Sequence, residues 1–218
     1  MTRAYSELYI DEVMDNLGSM MDYGVHSLDI DLELFYHCFL VSGIADEISC
    51  GNPKYLCGIA GSELALMIAE RTGLRVDDKE PLIYPGAVYW TGWILAYLQW
   101  YFNMSFQALH TKGITAKSIF LKFNPLHEAP IDKTVDIVAR KLKDYERTHA
   151  PLKTARKNAG LTQRQLAEQS GVPLRTIRAY EQSRIVGGRA SAQAMYNIAS
   201  VLGCPLDYLL NSQEKHYL

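Results

Sequence analysis

The chain lacks most of the features that mark secreted, membrane-spanning or catalytic proteins. Its four cysteines (Cys38, Cys50, Cys57 and Cys204) are scattered over 218 residues, too sparse for a disulfide framework. No basic-then-apolar leader precedes them, so reduced, buried thiols in a cytoplasmic protein are the expectation. The sharper alternative is a metal site built from His37, Cys38, Cys50 and Cys57. Six residues separate Cys50 from Cys57, which does not fit the short CxxC spacing of common zinc sites, and no metal is expected. Nor does any apolar run reach the roughly 20 residues of a membrane span. The longest block, 87–102, covers 16 residues, with Thr91, Gln99 and Asn103 interrupting or flanking it. Gly61-Ser62-Glu63 lacks the second glycine of a nucleophile elbow, and Gly58-x-x-Gly61 has no phosphate-loop context and reads as a turn into a helix. His110, His127 and His149 have no carboxylate at a spacing that implies general-base work. These absences argue against an enzyme and against a cofactor.

Charge is unevenly spread. The formal net charge is −2, yet 149–218 holds nine Lys and Arg against four Asp and Glu. The first 50 residues carry ten carboxylates against a single cation, Arg3. A basic carboxy-terminal region suits contact with phosphates, whose neutralisation releases counterions. An acidic amino-terminal region would be repelled by the same partner. Asp11, Glu12, Asp15, Asp22, Asp29, Asp31 and Glu33 form a candidate one-signed patch. It is either a solvated surface or a docking face for a basic protein.

Helical periodicity dominates throughout, and little argues for a sheet. Residues 7–21 read as a helix with Leu8, Val13, Leu17, Met20 and Met21 inward; 31–41 as a second, with Leu34, Phe35, Cys38 and Phe39 as its buried stripe. Ser42-Gly43 and Gly51-Asn52-Pro53 punctuate loops. Ser62 is placed to cap a helix running to Arg71, with Leu64, Met67 and Ile68 inward and Gly73 at its stop. Residues 131–147 form another, with Val135, Val138 and Leu142 recurring. Residues 87–102 hold all three tryptophans, and Trp90, Trp93, Tyr97, Trp100 and Tyr101 fall on one broad face. A central core helix is the favoured reading; an aromatic-walled pocket for a small effector or an aromatic dimer interface are the alternatives.

The most informative stretch is 161–180, Leu-Thr-Gln-Arg-Gln-Leu-Ala-Glu-Gln-Ser-Gly-Val-Pro-Leu-Arg-Thr-Ile-Arg-Ala-Tyr. It reads as two short helices joined by a tight turn, the shape that seats a helix in the DNA major groove. Thr162 and Gln165 make a capping box, Leu166 and Ala167 face inward, and Gly171 supplies the turn. Pro173 opens the next helix, whose Ile177 and Tyr180 continue the buried face and leave Leu174, Arg175 and Arg178 outside. Upstream, Pro151 starts a helix with Leu152, Ala155 and Ala159 on one face and Gly160 at its end. Downstream, Met195, Ile198, Ala199 and Leu202 follow helical spacing up to Gly203 and Pro205, and Leu206, Leu209 and Leu210 suggest a fifth short helix.

The Leu-Thr-Gln…Leu-Ala…Gly-Val…Thr-Ile…Tyr-Glu pattern from Leu152 to Leu210 resembles the DNA-binding domain of the phage-repressor (Cro and Xre type) family. The loop after Tyr180-Glu181-Gln182 departs from the family by its length and carries Arg184, Gly187, Gly188 and Arg189. Helical periodicity throughout makes the expectation an all-α protein with an amino-terminal helical sensing or assembly domain, 1–148, and the likeness implies a five-helix DNA-binding domain, 149–218, after it. It implies double-stranded operator DNA as partner, with Gln163, Arg164, Leu174, Arg175, Thr176, Arg178, Arg184 and Arg189 as the contact set. Arg175 is the choice for a guanine, because its planar fork matches O6 and N7. Gln163 and Thr176 are assigned to phosphates and Leu174 to a thymine methyl. Met14-Asp15-Asn16-Leu17-Gly18, Gly51-Asn52-Pro53-Lys54-Tyr55 and Asn124-Pro125-Leu126-His127-Glu128 resemble the amino-terminal part of regulators from gut anaerobes, associated with toxin–antitoxin loci. Two roles follow. One is a homodimeric repressor reading a palindromic operator; the other is an antitoxin that neutralises a toxin through its amino-terminal domain and autoregulates its operon.

Overall fold

The computed structural model describes residues 3–76, 85–148, 151–182, 191–206 and 209. Those residues form helices and no strand, so the protein is all-α. It divides into two compact units, 1–138 and 139–218.

In the first unit, helix α1 (Ile10–Asp22) is preceded by a single 3-10 turn, Glu7–Tyr9. Val13, Met14, Leu17, Met20 and Met21 are almost fully buried. Leu8 is a correction to the expected apolar face: it is 89% exposed, because it belongs to the turn and not to the helix. Short helices α2 (Leu32–Val41), α3 (Ile44–Ser49) and α4 (Pro53–Leu56) follow. Asp31 caps α2, accepting from the N–H groups of Glu33 and Leu34. The buried stripe of α2 is Phe35, Tyr36, Cys38, Phe39 and Leu40. Leu34 is half-exposed, since the stripe is set one residue further on. Asn52-Pro53, expected as loop, instead caps and opens α4, the position where proline's missing N–H costs nothing.

Helix α5 (Gly61–Thr72) begins at Gly61 with Ala60 as N-cap. Ser62 lies inside the first turn and is not the cap, but Gly73 ends the helix in the left-handed region as expected. Met67 is half-buried beside the fully buried Leu64, Ala65, Ile68 and Ala69. Helix α6 (Ala87–Phe102) is followed by α7 (Phe106–Thr111), α8 (Ala116–Phe120), α9 (Phe123–Leu126) and α10 (Ile131–Thr148). α10 bears the expected Val135 and Val138, both buried.

α6 is the central helix, and α1 packs along it more extensively than any other pair of elements. Of its aromatic residues, Tyr89 meets α1: its ring lies against Gly18 and its hydroxyl donates to Asp15 Oδ1 at 3.1 Å. Thr91, Gly92, Ile94, Leu95, Ala96, Leu98 and Trp100 are buried, whereas Trp90, Trp93 and Tyr97 are half-buried and Tyr101 is exposed. The buried side is thin because the α1 backbone comes close. A Cβ at Gly92 would run into the Leu17 carbonyl oxygen and stand 2.7 Å from Met21 Cγ. The polar groups on α6 are satisfied locally. The Thr91 hydroxyl donates to the Ala87 carbonyl (2.7 Å), and Gln99 Oε1 accepts from the Tyr5 hydroxyl (3.1 Å). Trp100 Nε1 donates to the Tyr5 carbonyl at 3.1 Å, while the Arg3 guanidinium lies 3.4 Å over the Trp100 ring. The amino terminus is thereby fastened to α6.

The cysteines depart from the expectation of burial. Only Cys38 is buried; Cys50 and Cys57 are exposed and Cys204 is intermediate. Cys50 ends α3 and Cys57 ends α4, places where the chain turns at the surface. No group of three potential ligands among His, Cys, Asp and Glu comes together among the described residues. No helix among them is long and apolar enough to cross a membrane.

Gly92→Ala tests the close approach of α1 and α6. Alanine improves helix propensity by about 1 kcal/mol, but the methyl meets a backbone oxygen, and overpacking costs about 1–3 kcal/mol. Net destabilisation is expected in urea titrations followed by tryptophan fluorescence. That signal reports this unit, since all three tryptophans sit on α6. A variant as stable as the parent would show that α1 lies further from α6.

Candidate nucleic-acid interface

The second unit is built around a small core. Helices α11 (Pro151–Asn158), α12 (Gln163–Ser170), α13 (Leu174–Glu181) and α14 (Ala192–Leu202) surround Leu152, Ala155, Leu166, Val172, Ile177, Met195, Ile198, Ala199 and Leu209, with Ala167, Tyr180 and Leu202 packed at its edge. Ala159 is exposed, because α11 ends one residue before it. The expected fifth helix at Leu206, Leu209 and Leu210 falls largely on residues outside those described.

The turn between α12 and α13 forms as its sequence predicts. Thr162 Oγ1 accepts from the Gln165 N–H at 3.2 Å, and Gln165 Oε1 accepts from the Thr162 N–H at 2.8 Å, so two otherwise unpaired donors are satisfied reciprocally. α12 stops at Gly171, whose φ of +67° is a left-handed conformation that side chains disfavour. The Ser170 hydroxyl donates to the Leu166 carbonyl (2.6 Å) and accepts from the Val172 N–H (3.3 Å). Asn197 of α14 donates to the Ser170 carbonyl at 3.3 Å, tying the turn to the core. Pro173 is the N-cap of α13 and not its first residue, a shift of one position from the expectation.

One carboxylate then sets the pose of α13. Glu181, its last residue, is 3% exposed. Its Oε1 accepts from Arg156 Nε, and its Oε2 accepts from Arg156 Nη2 (3.1 Å) and Gln163 Nε2 (2.8 Å). Arg156 Nη1 donates to the Leu161 carbonyl at 2.7 Å. This bidentate geometry is the strong form of a charged hydrogen bond. Sequence reading missed the pair, although the signal existed. Arg156 lies four residues after Leu152, on the inward face of α11, where a cation needs a buried partner.

Of the expected contact residues, Arg175 and Arg178 are exposed on α13, and Leu174 and Thr176 are half-buried beside them. Arg164 is exposed on α12 with its Nε 3.0 Å from Glu168 Oε1. Gln163, at the first position of α12, turns its amide to Glu181. The structure thus brings Leu174, Arg175, Thr176 and Arg178 together on one short helix. Arg184 and Arg189 lie outside the described residues.

Residues 152–209 match the family model described as Helix-turn-helix (HTH_3). With the geometry above, that match makes this segment a helix-turn-helix domain, the class found in DNA-binding regulators. Within that class it is of the Cro/C1, Xre-like type. No curated protein and no solved structure matches the chain.

The Arg156–Glu181 pair is testable by stability. Glu181→Ala leaves a buried guanidinium without its partner, which costs about 3–5 kcal/mol. Cooperative unfolding of the second unit should shift accordingly in urea titrations followed by NMR of its methyl groups. Arg156→Met combined with Glu181→Leu removes both charges and should recover most of the loss. Arg164→Ala, at an exposed pair, should change stability by less than about 0.5 kcal/mol. Equal effects of Glu181→Ala and Arg164→Ala would mean that the buried pair does not hold the helix.

Proposed function

We propose that the protein is a transcriptional repressor that binds a palindromic operator as a homodimer through a DNA-binding domain spanning 149–218. The observation carrying this reading is the outer face of α13, where Arg175 and Arg178 are solvent-exposed on a helix whose own buried charge is already matched by Arg156. Two cations left outward on a recognition helix suit base edges and phosphates. Arg175 reads a guanine, Leu174 meets a thymine methyl, and Thr176 and the amino terminus of α12 at Gln163 meet phosphates. Arg164, Arg178, Arg184 and Arg189 add to the contact set. One such motif covers too few base pairs for useful specificity, so two half-sites about one helical turn apart are expected.

The antitoxin reading drew on a one-signed acidic surface, and four of its seven carboxylates have other work. Asp15 accepts from the Tyr89 hydroxyl, Asp22 is buried against His26, Asp31 caps α2, and Glu33 accepts from the Lys117 N–H. Asp22 is withdrawn from the surface, while the other three keep their charge and are each partly engaged; nothing specific favours a basic protein partner over operator binding alone.

Arg175→Ala should cost about 1–3 kcal/mol of operator affinity and relax the preference at one base pair, measured by fluorescence anisotropy on cognate and singly substituted duplexes. Equal losses on cognate and scrambled DNA would restrict Arg175 to the backbone. Light scattering should report about twice the 24.6 kDa chain mass. A monomer both free and on DNA would overturn the dimer.

A further inference from the structure

A cavity of about 330 Å³ opens beside α6, walled by Trp90 and Trp93 of α6, Phe123 of α9 and His127, with Thr134 of α10 also lining it. That volume lies within the range of small-molecule sites. The described residues lining it include no Asp, Glu, Lys or Arg, in a unit whose first helices are rich in carboxylates.

The rings are held in place without any ligand. Phe123 meets Trp90 edge-on, with centroids 5.7 Å apart and planes at 75°. Its other neighbour, His127, stacks on it at 4.1 Å and 14°. His127 Nδ1 donates to the Phe123 carbonyl at 2.9 Å, which fixes the imidazole. Walls already ordered lose little entropy when something binds between them. One polar group is left over. Thr134 is 1% exposed, and its Oγ1 has no hydrogen-bond partner among the described residues. A hydroxyl in the first turns of a helix ordinarily bonds to a backbone carbonyl. Leaving it buried and unpaired is unfavourable and calls for an explanation.

We propose that this cavity binds a small, neutral, flat aromatic molecule of about two fused rings, carrying one polar edge that bonds to Thr134. Offset and edge-on ring contacts supply the apolar attraction. Aromatic faces would also attract a cation, but no carboxylate lines the cavity among the described residues, and Glu128, 3.6 Å from His127 Nε2, is 80% exposed to solvent, so the neutral class is favoured. The inference is independent of DNA binding.

Indole is a suitable probe, since it has two fused rings and a single N–H. Titration of the full-length protein by isothermal calorimetry should give a saturable one-to-one isotherm. Thr134→Val should weaken binding about fivefold to tenfold, the worth of one hydrogen bond. Its urea midpoint should match or exceed the parent's, because an unpaired hydroxyl has been replaced by a methyl group. Ala129→Phe, which places a ring in the cavity from its rim, should abolish the isotherm with the urea midpoint retained. Choline should give none. Four results would overturn the proposal: no heat with indole at millimolar concentration, binding that survives Ala129→Phe, full affinity in Thr134→Val, or choline bound as tightly as indole.

Discussion

The carboxylate of Glu181 is the point on which the DNA-binding unit depends. It sits at the carboxy-terminal end of α13, where the unpaired carbonyls already concentrate negative charge, and it is buried as well. Both facts make the ionised group costly there. Arg156 offsets both, with two donors on the carboxylate and a third on the Leu161 carbonyl, and Gln163 supplies one more. The Arg156–Glu181 pair therefore links α11, the segment before α12, the first turn of α12 and the end of α13. A helix of eight residues has little stability of its own. Its direction is fixed by Ile177 in the core and by this charge cluster at its far end. Arg156 satisfies Glu181 from inside, and Arg175 and Arg178 stay exposed on the outer side of the helix.

The first unit follows a different constraint, the distance between two helix axes. At Gly92 the α1 and α6 backbones approach so closely that no side chain fits between them. The buried face of α6 must be small there, while one turn earlier the Tyr89 ring fits against α1 only because Gly18 leaves room for it. Trp90, Trp93 and Tyr97 are half-buried on a helix that carries no charge at all. Trp90 and Trp93 line a cavity that stays partly open beside Phe123 and His127.

Much of this was legible in the chain itself. Capping boxes, left-handed glycines and the three-to-four spacing of apolar residues are local, and α12, its turn and α14 follow from them directly. The helix class of the whole protein is legible for the same reason. What escaped was set by tertiary contact. Periodicity on α6 places the rings on one broad face without saying what meets α1. Leu8 and Leu34 belong to apolar patterns whose first residues lie beyond the packed part of the helix. α3, α4, α7, α8 and α9 are each six residues or shorter, below the length at which periodicity can be recognised. The Arg156–Glu181 pair spans 25 residues, and a charge at an inward position reads as an error until its partner is known.

The acidic region shows how partners change the meaning of composition. Ten carboxylates in the first 50 residues suggest an electrostatic surface when counted. In place, Asp22 is 1% exposed beside His26, Asp31 pairs with the N–H groups that open α2, and Glu33 accepts from the backbone that opens α8. Negative charge at a helix amino terminus is stabilising, so Asp31 and Glu33 hold elements in place and do not simply add to a field. A carboxylate that caps a helix keeps its charge but has fewer lone pairs and less freedom to offer a partner. The same argument, applied to the basic unit, runs the other way: Arg156 is spent on the fold, whereas Arg175 and Arg178 are exposed on one helix. Function follows the charges that folding leaves over.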